Sequence, residues 1–453
     1  MITSVDPSAE IQSVRAQAEL PAALAERIPA AVARLDFWLQ GMRQPGGYAG
    51  PVAHYWQNRM LYAGPGLDWR YEGLLVGYTE LHARTGEERW RERVILAAED
   101  LAAGQGADGH YQASRFEINP GTLGTPHEAA ASLGLLHSLP LLPQPERFLT
   151  VARRNLEALS TAFWDGQGFN DHRTVPGRVP NKLATLAQAL LLLAKHERAA
   201  GHGTAALWAT VQARSALDDV LRFQEAGGEV HQYATGAAGV DGGDQRYFPY
   251  YNARCVEPLL LGHRLLADDR YAQAAELILE RLTGWQRVGG GWPQIIYRSG
   301  RSAEFPRWFA GSADLLWAYY VAGRPLPGQA LERLLDSQLE NGAFPTGEGF
   351  AAQVRQKPAP ADPRDLLGVV GWNDKVLRLL AHLLPGGKPL PTVQVGDGQT
   401  GEVERPVYWQ GTLATFQDRA ELVQVVSRDG RVLYRWNRSE VWAIQTGDEA
   451  EVR

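Results

Sequence analysis

A glycine followed by an aromatic or a short polar turn recurs about every 60 residues. The marks are Gly47-Tyr48, Gly109-His110-Tyr111, Gly168-Phe169-Asn170, Gly228-Glu229-Val230-His231, Gly291-Trp292-Pro293 and Gly342-Ala343-Phe344-Pro345. Long amphipathic stretches separate them. A helical hairpin cannot bury its apolar face alone, so a fixed period means stacked units, and six such units can close on themselves. Glu88-Arg89-Trp90, Glu146-Arg147-Phe148 and Asp269-Arg270-Tyr271 mark the other end of the units. Each places an acid at a helix start and an aromatic packing anchor just inside it.

Twelve helical segments fit between about residues 20 and 385. Long loops at 46–67, 104–125, 164–180, 227–250, 289–306 and 342–363 each follow an odd-numbered helix, which puts all six at one end. Odd helices such as Arg89 to Leu101 carry charge on one face and suit an outer ring. Even ones, such as Leu183 to Ala194 and Cys255 to Leu266, are more uniformly apolar and belong inside. The expected fold is all-α, an (α/α)6 toroid of six helical hairpins over residues 20–385, preceded by an extension at 1–19. After Leu384 a Pro/Gly-rich linker leads to short β-branched runs, with Asp429-Gly430 as a hairpin turn. Residues 386–453 are therefore read as a linker and a small antiparallel β module. A unit of that size is marginal alone, so it is expected to pack on the toroid or to join two copies as a homo-oligomer.

With 453 residues, 45% of them hydrophobic, the chain can build a large core. A net charge of −6 and the absence of a Lys/Arg-rich run argue against nucleic acid as partner. The amino terminus does not read as a secretory signal, and no apolar run is long enough to span a membrane. A soluble, cytoplasmic protein is the expectation. The single Cys255 sits among apolar residues, as a buried small hydrophobe does. No phosphate loop or metal-spaced His/Asp cluster is present, so neither cofactor nor metal is expected.

Chemistry is expected where the inner helices begin, because those side chains point to the axis at the looped mouth. Aligning the units gives one polar position each: Glu72, Glu128, Asn181, Asn252, Ser312 or Asp314, and Asn373 or Asp374. Such a ring is costly inside an apolar barrel unless water or a ligand satisfies it; helix capping would explain several of its members equally. Aromatics crowd the same loops, and flat rings beside acids and amides suit a sugar. Glu72 and Glu128 are the expected acid/base carboxylates, with Asp374 in reserve, since glycoside cleavage takes two carboxyl groups. His127, His172, Asn181, Asn252 and Arg254 are expected to orient substrate. Trp69, Tyr250, Tyr251, Trp292 and Trp308 are expected to form the stacking surfaces.

The stretch from Phe163 to Phe169, then Pro180-Asn181 and a small-residue apolar helix, resembles a recurrent unit of the six-hairpin glycosidase-like superfamily of (α/α)6 toroids. That resemblance implies hydrolysis, elimination or epimerisation of sugars, with an oligosaccharide or other small molecule as substrate. A second resemblance, to the toroids of terpenoid cyclases and prenyltransferases, rests on Asp336 to Phe344 and Gly289-Gly290-Gly291-Trp292. Against it, Asp241-Gly242-Gly243-Asp244 is only a loose echo of an acid motif, and Ala253 stands where a zinc ligand belongs. Glycosidic hydrolysis is the first expectation; a lyase or epimerase, an isoprenoid enzyme and a non-catalytic glycan-binding toroid are the alternatives.

Overall fold

A computed structural model describes residues 20–54, 59–63, 65–112, 127–171, 177–232, 245–339, 341–352, 357, 365, 368–387 and 389–391, together with three strands further on. Six helices form an outer set: α1 (Ile28–Gly41), α3 (Glu88–Ala103), α5 (Pro145–Phe163), α7 (Gly203–Arg222), α9 (Asp269–Trp285) and α11 (Gly328–Asp336). Six form an inner set: α2 (Arg70–Thr85), α4 (His127–Ser138), α6 (Pro180–Ala199), α8 (Pro249–Leu266), α10 (Ser312–Val321) and α12 (Val370–Leu383). Each inner helix packs on the next, and α12 packs back on α2, which closes the ring. The all-α (α/α)6 toroid expected from the repeat is the fold observed.

Burial follows the two rings. On α3 only Trp90, Val94, Ala97, Ala98 and Leu101 are buried, one stripe at helical spacing. On α12 nearly every residue from Val370 to Leu383 is buried. Proline at the first turn starts α5, α6 and α8, where its missing N–H costs nothing.

The glycine rhythm has a physical cause. After α3, α7 and α11 a glutamine amide staples the turn. Gln105 donates to Gly109 O (3.1 Å) and to Val151 O on α5 (2.8 Å). Gln224 donates to Gly228 O (3.4 Å) and to Ala274 O on α9 (2.9 Å). Gln338 donates to Gly342 O and to Ala31 O on α1, both at 2.9 Å. Gly109, Gly228 and Gly342 have φ of +87°, +94° and +93°, and a Cβ on each would overlap a carbonyl of the next outer helix. The same turn therefore joins these three hairpins to their successors. In the fifth unit the left-handed residues are Gly289 and Gly290, and it is Gly290, one before the expected Gly291, that meets the next outer helix. In the third, Gly168 is not left-handed and Trp164 stands where the second, fourth, fifth and sixth carry glutamine.

Neighbouring loops are stitched by short antiparallel strands: Arg246–Tyr247 with Ile295–Tyr297 and Ser302–Ala303, and Arg307–Trp308 with Gly347–Glu348. In the C-terminal segment Leu422–Val426, Val432–Asn437 and Trp442–Ala443 form an antiparallel sheet in that order. The expected extension at 1–19 and the turn at Asp429-Gly430 lie outside the described residues.

Candidate functional site

The polar positions predicted at the inner-helix starts divide into two groups with different work. The first group clips the loops. Asn252 is fully buried, accepts from Val230 N–H (2.7 Å) and donates to Val230 O (3.1 Å) and Phe248 O (3.0 Å). Asn373 does the same for Phe344, at 2.7 and 2.8 Å. Glu128 Oε2 accepts from Asn155 Nδ2 (2.7 Å) on the outer helix α5 and from Tyr111 N–H (3.3 Å), with His110 Nδ1 at 3.1 Å. These residues satisfy loop backbone that would otherwise be orphaned. Asn252 has both of its amide N–H groups committed to backbone, and Glu128 is turned to the outer ring.

The second group meets on the axis. Glu72 is completely buried and receives Arg254 through two bonds (2.7 and 2.8 Å) and Arg378 Nη1 at 2.6 Å, with Lys375 Nζ at 3.1 Å. Arg378 Nη2 also donates to Asp314 (2.6 Å), and Arg254 Nη2 to Thr185 Oγ1 (3.1 Å). Asp374, also wholly buried, accepts from Lys375 Nζ (2.7 Å) and Gly73 N–H (2.9 Å) through Oδ2, while its Oδ1 has no hydrogen-bond partner. Glycines permit this approach: a Cβ on Gly73 would overlap the Asp374 carbonyl, and one on Gly134 would crowd the Glu72 backbone. Gly134 lies six residues beyond Glu128, about 9 Å along α4, so Glu72 and Glu128 sit at different depths and share no partner. The structure does not bring the predicted pair together. Arg254 and Asp374 do join Glu72.

The environment drives the carboxyl groups apart. Burial pushes Glu72 up, but Arg254, Lys375 and Arg378 together overcome it and hold the group far below the usual carboxylate range. Burial lifts Asp374 to about 7; Lys375 opposes this and the charge of Glu72 adds to it. Three acids and three cations thus form one buried cluster, in which Arg254 has the most open side chain at 12% exposure.

Around it lies an aromatic group. The Trp372 ring touches Trp69 (5.4 Å between centroids), Tyr250 (5.4 Å) and Trp308 (5.5 Å, stacked), and Tyr250 meets Tyr251 at 4.4 Å. Trp69, Tyr251 and Trp372 are half-buried; Tyr250 and Trp308 are buried. Tyr250 and Trp308 therefore support the platform from within it. Trp292 is buried and donates its indole N–H to Leu282 O on α9 (2.8 Å), so it anchors its own turn rather than a ligand. Asn181 is half-buried one turn above Thr185, and its Oδ1 has no partner. His172 and the side chain of His127 lie outside the described residues.

Trp372, Lys375, Arg378 and Thr185 were not predicted. Lys375 and Arg378 follow Trp372 by three and six residues and Asp374 by one and four, the spacing of one helix face in part; cations there would have been the available signal.

No family model matches the chain, and no curated protein sequence matches it. Solved structures do. Cellobiose 2-epimerase from Spirochaeta thermophila DSM 6192 superposes with a TM-score of 0.55 at 14% identity, covering 84% of this chain and 98% of that one. An unsaturated glucuronyl hydrolase specific for heparin gives 0.51 at 11%, covering 80% and 95%. An inactive variant of the α-1,6-mannanase of Salegentibacter sp. HEL1_6 gives 0.51 at 13%, covering 80% and 98%. The chain shares the fold of these six-hairpin toroids, and they process carbohydrates by different reactions. Among the described residues no helix is long and apolar enough to cross a membrane.

Proposed function

We propose that the protein is a carbohydrate-active enzyme that takes an oligosaccharide at the aromatic end of the toroid and cleaves it by glycosidic hydrolysis. The carrying observation is that Trp69, Tyr251 and Trp372, all half-buried, sit beside two carboxyl groups whose acidities are driven apart. Ring faces take the apolar side of a sugar. A carboxyl raised to about 7 beside one that stays ionised is the division of labour that glycoside cleavage needs. In this reading Asp374 is the acid and Glu72 the ionised partner. Lys375 Nζ touches both, at 2.7 and 3.1 Å, so their bonded oxygens lie within about 6 Å of each other, compatible with the carboxyl spacing of glycosidases. Both carboxyls are sealed from solvent, and substrate reaches them only when the platform parts; Arg254 is the group it meets first.

The test is turnover of an oligosaccharide panel that includes uronates, by wild type, Glu72→Gln and Asp374→Asn. Loss in both variants supports the pair; unchanged turnover in both overturns it. A second reading, epimerisation, is favoured by one observation: Lys375 joins Asp374, whose carboxyl burial lifts to about 7, to Glu72, on which Arg254 and Arg378 also converge. Cations so placed would stabilise an enolate formed by proton abstraction. Deuterium uptake from solvent at a sugar carbon, read by NMR, separates it from hydrolysis.

A further inference from the structure

An ammonium has three N–H donors, and Lys375 directs its own to Trp69 O (2.9 Å), Asp374 Oδ2 (2.7 Å) and Glu72 Oε2 (3.1 Å). Asp374 Oδ2 in turn accepts from Gly73 N–H. Residues 69 and 73 are the two ends of the first turn of α2, so the Asp374–Lys375 pair on α12 grips that turn at its carbonyl and at its amide. Trp69 heads this turn. Its indole lies 5.7 Å from the Lys375 nitrogen and edge-on to Trp372. We propose that Lys375 is a positioning residue that fastens the Trp69 edge of the platform to the Asp374 carboxylate, so that proton uptake by Asp374 loosens the platform.

The physical link is direct. A neutral Asp374 no longer attracts the ammonium or the Gly73 amide as an anion does. The charged groups that act on Asp374 are Lys375 from α12, which bonds it, and Glu72 from α2, which shares that lysine; Arg378 from α12, Arg254 from α8 and Asp314 from α10 complete the cluster on the Glu72 side. Lys375 bonds both the carboxylate and the backbone of Trp69. The coupling is reciprocal: whatever moves Trp69, including a sugar ring laid on it, must change the proton affinity of Asp374 by the same free energy. Identifying the platform as a sugar seat rests on the proposed function, whereas the fastening does not.

The experiment uses acrylamide and no sugar. Quenching of wild type minus that of Trp69→Phe reports the exposure of Trp69 alone. The expected result is a rise in that difference as pH falls through about 7. Lys375→Met removes the fastener, so the Trp69 quenching stands at the wild type's acid-side level already at pH 8 and its pH step is lost. A variant that loses melting temperature while the pH step in quenching persists shows a merely structural lysine and overturns the proposal. Should Lys375→Met fail to fold, Asp374→Asn decides: quenching must be independent of pH between 5 and 9 and stand at the wild type's acid-side level, and a persisting step overturns the proposal. Failure of every saccharide to bind would sink the proposed function and leave this result unaffected.

Discussion

Glu72 and Glu128 looked equivalent in the sequence, and replacing each by glutamine tests whether they are. Glu72→Gln keeps the shape but leaves Arg254, Lys375 and Arg378 facing an amide, one of whose ends is itself a donor. Removing one partner from a buried ion pair costs about 3–5 kcal/mol, because the remaining charge stays desolvated. With an unfolding entropy of about 2.1 cal/mol/K per residue over the about 350 residues from Ile28 to Leu383, that is a fall of about 4–7 °C in Tm. Glu128→Gln is different in kind. Its donors are the Asn155 amide, the Tyr111 N–H and the His110 ring, and a glutamine oxygen accepts from the same groups, so the cost is about 1 kcal/mol. Urea unfolding at pH 7.5, followed by circular dichroism with a fixed m value, gives both numbers. If Glu72→Gln costs no more than Glu128→Gln, the buried cluster is not the electrostatic frame of the axis and the reasoning fails.

Gly342→Ala is expected to cost about 2–4 kcal/mol, from the left-handed backbone and the overlap with Arg34 O together. Gly166→Ala, at φ +94° with no neighbour in reach, should cost only the backbone part, about 1–2 kcal/mol; equal losses in urea melts would refute the close-approach argument. Asp374 binds a proton more tightly folded than unfolded, its value rising to about 7 from about 4. Its contribution to stability is therefore fully present below pH 4 and falls as pH rises to 7, by up to about 1.4 kcal/mol per pH unit. Glu72 contributes with the opposite sign, its share being lost as pH falls below the ordinary carboxylate value. Comparing wild type with Asp374→Asn across pH 4 to 8 isolates the first effect, and parallel curves would contradict it. Trp372→Ala should weaken saccharide binding about 3- to 10-fold with the fold intact; isothermal titration reads this, and unchanged affinity would move the sugar seat elsewhere.

The ring was legible because four of the turn glycines, Gly109, Gly228, Gly290 and Gly342, are required twice, by φ and by contact with the next outer helix, so the period is written in residues that cannot vary freely. Where that double requirement lapses, at Gly168, or slides, from Gly291 to Gly290, the sequence marker and the structure part company. The site was less legible for a related reason. An asparagine or glutamate near a helix start looks the same whether it clips a loop backbone or faces an axis, and only the next turn decides. Asn252 lies two residues before Arg254 and Asn373 one before Asp374, yet they point to loop backbone while those two join the cluster. Lys375 and Arg378 escaped notice because charged residues on an apolar helix are ordinarily read as its solvent edge; here they point inward and are neutralised across the ring.

The closure of the ring sets a schedule for the nascent chain. Arg34 Nη2 donates to Leu339 O and Gln338 to Ala31 O, across 305 and 307 residues, and Arg378 reaches Glu72 across 306. An open array could consolidate hairpin by hairpin as it leaves the ribosome, but here the first hairpin has its final neighbours only after the sixth is made. At about 5–20 residues per second, the glutamate on α2 and the glycine face that receives α12 wait roughly 15–60 s for their partners. Throughout that interval the most charged interior surface of the finished protein is still wet, and its desolvation belongs to the last step of assembly.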